Sequence, residues 1–232
     1  MQTEPNSKNY HNSKYFLYIA ILFVAVLMIS NTTAGKLIEI GPFVVSGAIM
    51  VFPISYIFGD ILTEVYGYQA SRKIVWSGFG ALILMSFFYW LIGKLEPASF
   101  WQNQAAYDAI LSSVPRITLA SMTAYFCGEF SNSFVLSRMK VWMKGKKLWM
   151  RTIGSTIVGE GVDSIVFIAV AFSGIITFKE MAVIVGSIYL FKVVYEILAT
   201  PITYLIVNKL KKTEGVDVYD KGISYNPFIL EE

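Results

Sequence analysis

The run FPISYIFGDILTEVYG, residues 52–67, sets Pro53, Asp60 and Glu64 into a stretch otherwise apolar enough to lie in lipid. Carboxylates in hydrocarbon are expensive, so they face a bundle interior, a partner or a water-filled cavity. A proline inside a helix frees a backbone carbonyl and kinks the axis. The run therefore predicts a kinked membrane helix with two acids one turn apart, walling a polar path.

Composition extends this reading to the whole chain. Of 232 residues, 55% are hydrophobic, 16% aromatic and only 15% charged, and the mean hydropathy is +0.57. Soluble domains carry about 25% charged residues, so the chain reads as an all-α membrane protein. Six stretches approach or exceed the roughly 17–25 residues that span a bilayer as helix. They are 15–33, 43–65, 74–92, 117–141, 152–172 and 181–207. Residues 1–14 read as an N-terminal tail, 15–210 as the transmembrane domain and 211–232 as a C-terminal tail. The polar, acid-rich end with Pro227 predicts a flexible segment. The connection 93–116 reads as a plain loop, with an amphipathic turn on the interface as the alternative. A polar start, with more apolar segments behind the first, argues against a cleaved signal peptide.

Several chemistries are excluded at this level. The lone Cys127 permits neither a disulfide framework nor a multi-cysteine metal site. The single histidine, His11, lies in the N-terminal tail, so no imidazole works inside the membrane. No G-x-x-x-x-G-K-[ST] phosphate loop occurs. No cofactor or metal is expected.

Charge asymmetry sets an expected orientation. One side holds Lys8, Lys14, Arg72, Lys73, Arg138, Lys140, Lys144, Lys146, Lys147, Arg151, Lys209, Lys211, Lys212 and Lys221. The other holds Lys36, Lys94, Arg116 and Lys179, and Lys192 is left inside the membrane. Both termini are thus predicted in the cytoplasm, in keeping with an even number of spans. The basic cluster around 138–151 reads as a topology determinant touching anionic lipid rather than a nucleic-acid patch.

At a rise of about 1.5 Å per residue, Glu129, Asn132, Glu160, Asp163, Lys192 and Glu196 fall in one central layer delivered by three helices. The spacings Glu129/Asn132 and Glu160/Asp163 (i, i+3) and Lys192/Glu196 (i, i+4) put each pair on one face. Four acids there face one lysine, a site short of positive charge and suited to a cation or a ligand rich in N–H donors. Lys192 is expected to pair with Asp163 or Glu196, and the pair could equally lock helix packing. Asp60 is placed nearer the cytoplasmic end, and Glu64 is read as a solvated interfacial acid. Tyr125, Phe126 and Phe167 could stack on a planar ring. Asn31, closing the first span, is as readily structural as ligand-binding. Ser155 and Gly159 form a small-xxx-small pair for close helix contact.

These residues, taken in order, resemble a known pattern. Asn31 ends the first span, and FPISYIFGDILTEVYG is followed by Arg72. Arg116 opens the fourth span, with Ala120-Ser121 and Tyr125 beyond it. Arg151 and Ser155 precede Gly159 and Val162-Asp163-Ser164, and Phe191-Lys192 precedes Pro201. Over roughly residues 15–210 this is similar to the queuosine-precursor transporter (VUT) family.

The resemblance implies a six-helix bundle like the substrate-binding components of energy-coupling-factor importers, in the inner membrane. It implies import of the 7-deazaguanines preQ0 and preQ1 for tRNA modification, without a dedicated ATPase. The family's functional positions would map onto Asn31, Asp60, Arg116, Ser121, Asp163 and Lys192. Where the family pattern carries an aspartate, this chain has Asn132, one turn after Glu129. The chemistry is compatible: a carboxylate can accept N1–H and the exocyclic amine together, and O6 wants a donor.

The expected path runs past Arg116 into the central layer and out near Asp60 by rearrangement about Pro53. A homodimer is compatible with the sequence. One rival is a substrate-binding component needing a separate energising complex, although Ala20 and Ala25 lack the expected Ala-xxx-Ala spacing. Another is an intramembrane aspartyl enzyme, which would need Asp60 and Asp163 at one depth.

Overall fold

The structure, a computed structural model, describes residues 13–33, 36–40, 43–111, 115–174, 177–220 and 222–229. The first helix, α1 (Phe16–Thr33), is apolar almost all round. Ile19, Phe23 and Leu27 turn inward while Leu17, Tyr18, Ile21 and Leu22 stand exposed. Such a surface suits lipid rather than water. The next segment is an antiparallel hairpin, β1 (Leu37–Ile40) and β2 (Phe43–Ser46), in the register Leu37↔Ser46 to Ile40↔Phe43.

The hairpin corrects the expected span 43–65, whose first four residues are strand. The remainder is composite: a 3-10 turn (Gly47–Met50), α2 (Phe52–Ile61) and one π-helical stretch (Leu62–Tyr66). Pro53 sits in the first turn of α2, where its missing N–H has no intrahelical acceptor to lose. The predicted Pro53 kink is therefore absent. The irregularities fall elsewhere, at the π stretch that carries Glu64 and at Pro201 inside the last helix.

One residue, Gly67, joins this segment to α3 (Tyr68–Gly93). Its φ of 89° is open to glycine, and a Cβ there would lie 2.7 Å from Val218 Cγ1 and 2.9 Å from Asp220 Oδ1. Because α3 begins at Tyr68, Arg72 and Lys73 lie within a helix rather than in a loop. The connection that follows contains a short exposed helix, α4 (Gln104–Leu111), where a plain loop was expected.

Two long helices, α5 (Pro115–Trp142) and α6 (Leu148–Phe172), form a hairpin through a tight turn in which Lys144, Gly145 and Lys147 have positive φ. They cross at two glycines. A Cβ on Gly159 would sit 2.6 Å from Asn132 Cβ, and one on Gly128 would sit 2.7 Å from Asp163 Cβ. The expected close contact at Gly159 is thus present. The last helix, α7 (Phe178–Glu214), has 37 residues, roughly 55 Å at the helical rise, longer than a bilayer core.

Among the described residues, five helical segments are long and apolar enough to cross a membrane: Phe16–Thr33, Gly47–Tyr66, Tyr68–Gly93, Leu148–Val170 and Ile184–Glu214. The 28-residue α5 is as long but more polar.

The chain beyond α7 is not the flexible tail that its composition suggested. Val218 N–H donates to Val65 O at 3.1 Å, and both Asp220 oxygens accept the Tyr68 N–H at 3.0 and 3.1 Å. Arg72 Nη1 donates to the carbonyls of Ser224 and Asn226 at 3.1 and 2.6 Å, and Trp76 Nε1 donates to Pro227 O at 2.8 Å. Tyr225 packs on Tyr68 and Phe134, and Phe228 on Trp76 and Phe126. Unpaired backbone is costly in an apolar setting, and α3 supplies the donors that fix this strap. Residues 1–12 of the predicted tail 1–14, with His11 and Lys8, lie outside the described residues.

Candidate functional site

Four helices meet in the interior with polar side chains. α5 presents Tyr125, Glu129, Asn132 and Ser133, and α6 presents Glu160 and Asp163. α7 presents Lys192 and Glu196, and α2 presents Tyr56 and Asp60. All ten are buried. Spacing within α5, α6 and α7 puts each pair on one face, and the Gly128–Gly159 crossing brings the α5 and α6 faces together.

Lys192 is the layer's cation. Its ammonium pairs with Asp163 and, at 2.7 Å, with Glu160. It also lies 4.7 Å from the Phe52 ring centroid, a favourable face for a cation. The expected partner Asp163 is borne out, and the second partner is Glu160 rather than Glu196. Glu129 lies against Gly59 and accepts from Ser133 at 3.2 Å and Tyr125 at 3.4 Å. Ser133 Oγ also lies 3.0 Å from Thr63 Oγ1 and 3.2 Å from Ser71 Oγ. Phe52, Tyr56 and Tyr125 meet edge to face, with centroids 5.6–6.0 Å apart.

Asp60 belongs to this layer rather than to an end of the bundle. Asn132 Nδ2 donates to its Oδ1 at 2.7 Å. The sequence misplaced it because depth was counted along a continuous helix from 43, whereas the first residues there are strand and 3-10 turn.

Six buried polar atoms in this region have no hydrogen-bond partner among the described residues. They are Tyr56 Oη, Asp60 Oδ2, Asn132 Oδ1, Thr156 Oγ1, Ser164 Oγ and Glu196 Oε1. Buried polar groups are nearly always paired, and each exception needs a reason. Together they leave the layer with hydrogen-bonding capacity that the described side chains do not use.

The other expected residues are placed differently. Asn31 is half-buried and its amide donates to Leu27 O at 3.0 Å in its own helix, the structural alternative. Ser121 is half-buried one turn before Tyr125. The Arg116 side chain lies outside the described residues. Phe126 packs on Trp76, Phe79 and Phe130. Sequence reasoning passed over Tyr56, since an aromatic in an apolar run carries no signal of its own.

Glu64 overturns its reading as a solvated acid. It is fully buried and pairs with Arg151, Lys211 and, at 3.7 Å, Lys140. Asp217 joins at 2.6 Å from Lys140 and 3.0 Å from Lys211. Burial pushes the Asp217 carboxyl up, but the two lysines outweigh it and hold it below the usual carboxylate range. Nearby, burial raises Asp220 despite the donors Ser137 and Tyr68 N–H. Lys140, Lys211 and Arg151, three of the charges that set the expected orientation, are thus interior partners of one acid. Lys140 also donates to the Glu64 and Val218 carbonyls at 2.5 and 2.6 Å.

Among the described residues no group of three His, Cys, Asp or Glu could hold a metal ion. Apolar helices enclosing an unsaturated polar layer define a multi-pass membrane protein of the solute-transporting type. Residues 46–206 match the family described as "Putative vitamin uptake transporter", and the chain belongs to that family.

Among curated proteins, it is 28% identical to the "Probable queuosine precursor transporter" of Bacillus subtilis (strain 168), over 83% of this chain and 93% of that one. It is 24% identical to the "Queuosine precursor transporter" of Escherichia coli (strain K12), over 68% of this chain and 69% of the relative. A third relative, from Haemophilus influenzae, is 25% identical over 53% of this chain and half of its own. No solved structure matches the chain.

Proposed function

We propose that the protein imports queuosine precursors, the 7-deazaguanines preQ0 and preQ1, across the inner membrane for tRNA queuosine salvage. The observation that carries this reading is the buried layer of Tyr56, Asp60, Asn132 and Glu196, whose unpartnered atoms offer mostly acceptors to a solute rich in N–H groups. A 7-deazaguanine presents N1–H and an exocyclic amine on one edge, and a carboxylate or amide oxygen accepts from each. Phe52, Tyr56 and Tyr125 supply ring faces beside that layer, the apolar lining that small-molecule sites share. The names of the relatives support the same cargo.

In this account α5 is the sixth span, giving a bundle like the substrate-binding components of energy-coupling-factor importers. Its length and its hairpin with α6 support that. Both termini lie in the cytoplasm, placing the Glu64 cluster and the strap at the cytoplasmic mouth, with Arg116 opening the outer side. Asp163 and Lys192 form the fixed ion pair of the site, and Asp60 belongs to the pocket. In a strain unable to make the precursor, the protein restores queuosine in tRNA when preQ0 or preQ1 is supplied. Asp163→Ala, inserted at the wild-type level, abolishes that rescue. Normal rescue by the variant would remove Asp163 from the site.

A further inference from the structure

Partner assignments within the layer single out two acids. Glu160 and Asp163 share Lys192, and Glu129 takes hydroxyl donors from Ser133 and Tyr125. Asp60 and Glu196 remain. Asp60 receives one neutral amide N–H, from Asn132, and its Oδ2 has no partner among the described residues. Glu196 is 2% exposed, and its Oε1 is likewise unpartnered.

The two acids come from helices that pack directly on each other, α2 and α7, and both are buried between them. Glu160, on the neighbouring α6, is already paired to Lys192. Two carboxylates without a cation in one low-dielectric interior are costly, and a cation brought to them relieves that cost. Beside them, Asn132 Oδ1 and Tyr56 Oη are also buried and unpartnered, and both residues are 0% exposed. The region thus holds neutral groups free to meet a ring as well as acids free to meet a charge.

We propose that Asp60 and Glu196 form a subsite for a protonated primary amine on the cargo, making the transporter selective for the cationic aminomethyl 7-deazaguanine over its neutral nitrile counterpart. This rests on the function proposed above and assigns its specificity. An aliphatic amine is charged at neutral pH, and a charge-assisted bond to a carboxylate is stronger than any a nitrile can make there. Glu196 is the specificity-determining residue, and Asp60 shares the charge while Asn132 holds it in place.

Titration calorimetry on the purified full-length protein compares preQ1, which bears the amine, with preQ0, which bears the nitrile. Wild type binds preQ1 at least about tenfold more tightly, the worth of one hydrogen bond to a charged group. In Glu196→Gln that ratio collapses toward one, while Glu196→Asp keeps a preference for preQ1. Equal binding of the two ligands by wild type overturns the subsite and leaves the importer reading standing. A ratio unchanged in Glu196→Gln also overturns it. Binding of neither ligand overturns both. If Glu196→Gln does not fold, the wild-type ratio and Glu196→Asp still decide.

Discussion

Two buried ionic regions lie along the same bundle and are built in opposite ways. At the Gly67 end, Glu64 is held by Arg151, Lys211 and Lys140, with Asp217 completing the set. In the central layer, among the described residues, five acids, Asp60, Glu129, Glu160, Asp163 and Glu196, accompany one lysine, and several polar atoms are unpartnered. Saturation marks a joint, because paired charges resist separation. Lack of saturation marks a place where something else is meant to bind. Burial alone does not distinguish them, since members of both clusters are close to fully enclosed.

The largest effect expected from this contrast is in the joint. Glu64→Gln leaves three cations around a neutral amide, and breaking a buried ion pair from one side costs about 3–5 kcal/mol. Detergent-solubilised variant should therefore show a markedly lowered melting temperature. Asp60→Asn should behave in the opposite sense. It removes an acid that has no cation partner among the described residues, so stability stays within about 1 kcal/mol of wild type or rises, while uptake is lost. A melting temperature depressed as far as that of Glu64→Gln would erase the distinction between the two regions.

Smaller effects fall on the strap. Asp220 accepts the first N–H of α3, the work of an N-cap, so Asp220→Ala should cost about 1 kcal/mol. It should also expose residues 215–229 to protease. The least effect is that of pH on Asp217. Its carboxyl is held below the ordinary value in the folded protein. Its contribution is therefore fully present above about pH 4, the unfolded aspartate range, and fades as pH falls through the lower folded value. Protease protection of the strap should weaken over that acid window in wild type and less so in Asp217→Asn.

Local periodicity made the central layer legible. The pairs Glu129/Asn132, Glu160/Asp163 and Lys192/Glu196 needed only helical spacing, and α5, α6 and α7 formed where those pairs required. What escaped depended on contacts distant in sequence. Glu64 is enclosed by residues from three later elements, and no count along its own helix reveals that. Residues 215–229 have a polar, tail-like composition, yet Arg72 and Trp76, some 150 positions earlier, pair their carbonyls.

Pro53 illustrates a boundary problem, since the same residue kinks a helix interior and starts a helix at its first turn. The missing clue lay in Gly41-Pro42, a turn dipeptide between LIEI and FVVS that marks a hairpin. Asp60 was misplaced in depth for that reason alone.

The most direct test of the central claim is uptake of radiolabelled preQ1 into proteoliposomes containing only this protein. Saturable uptake without ATP is expected, and none above background for Asp163→Asn reconstituted at equal density and orientation. Uptake by that variant at the wild-type rate, or wild-type uptake that appears only when a separate ATPase complex is added, would contradict it.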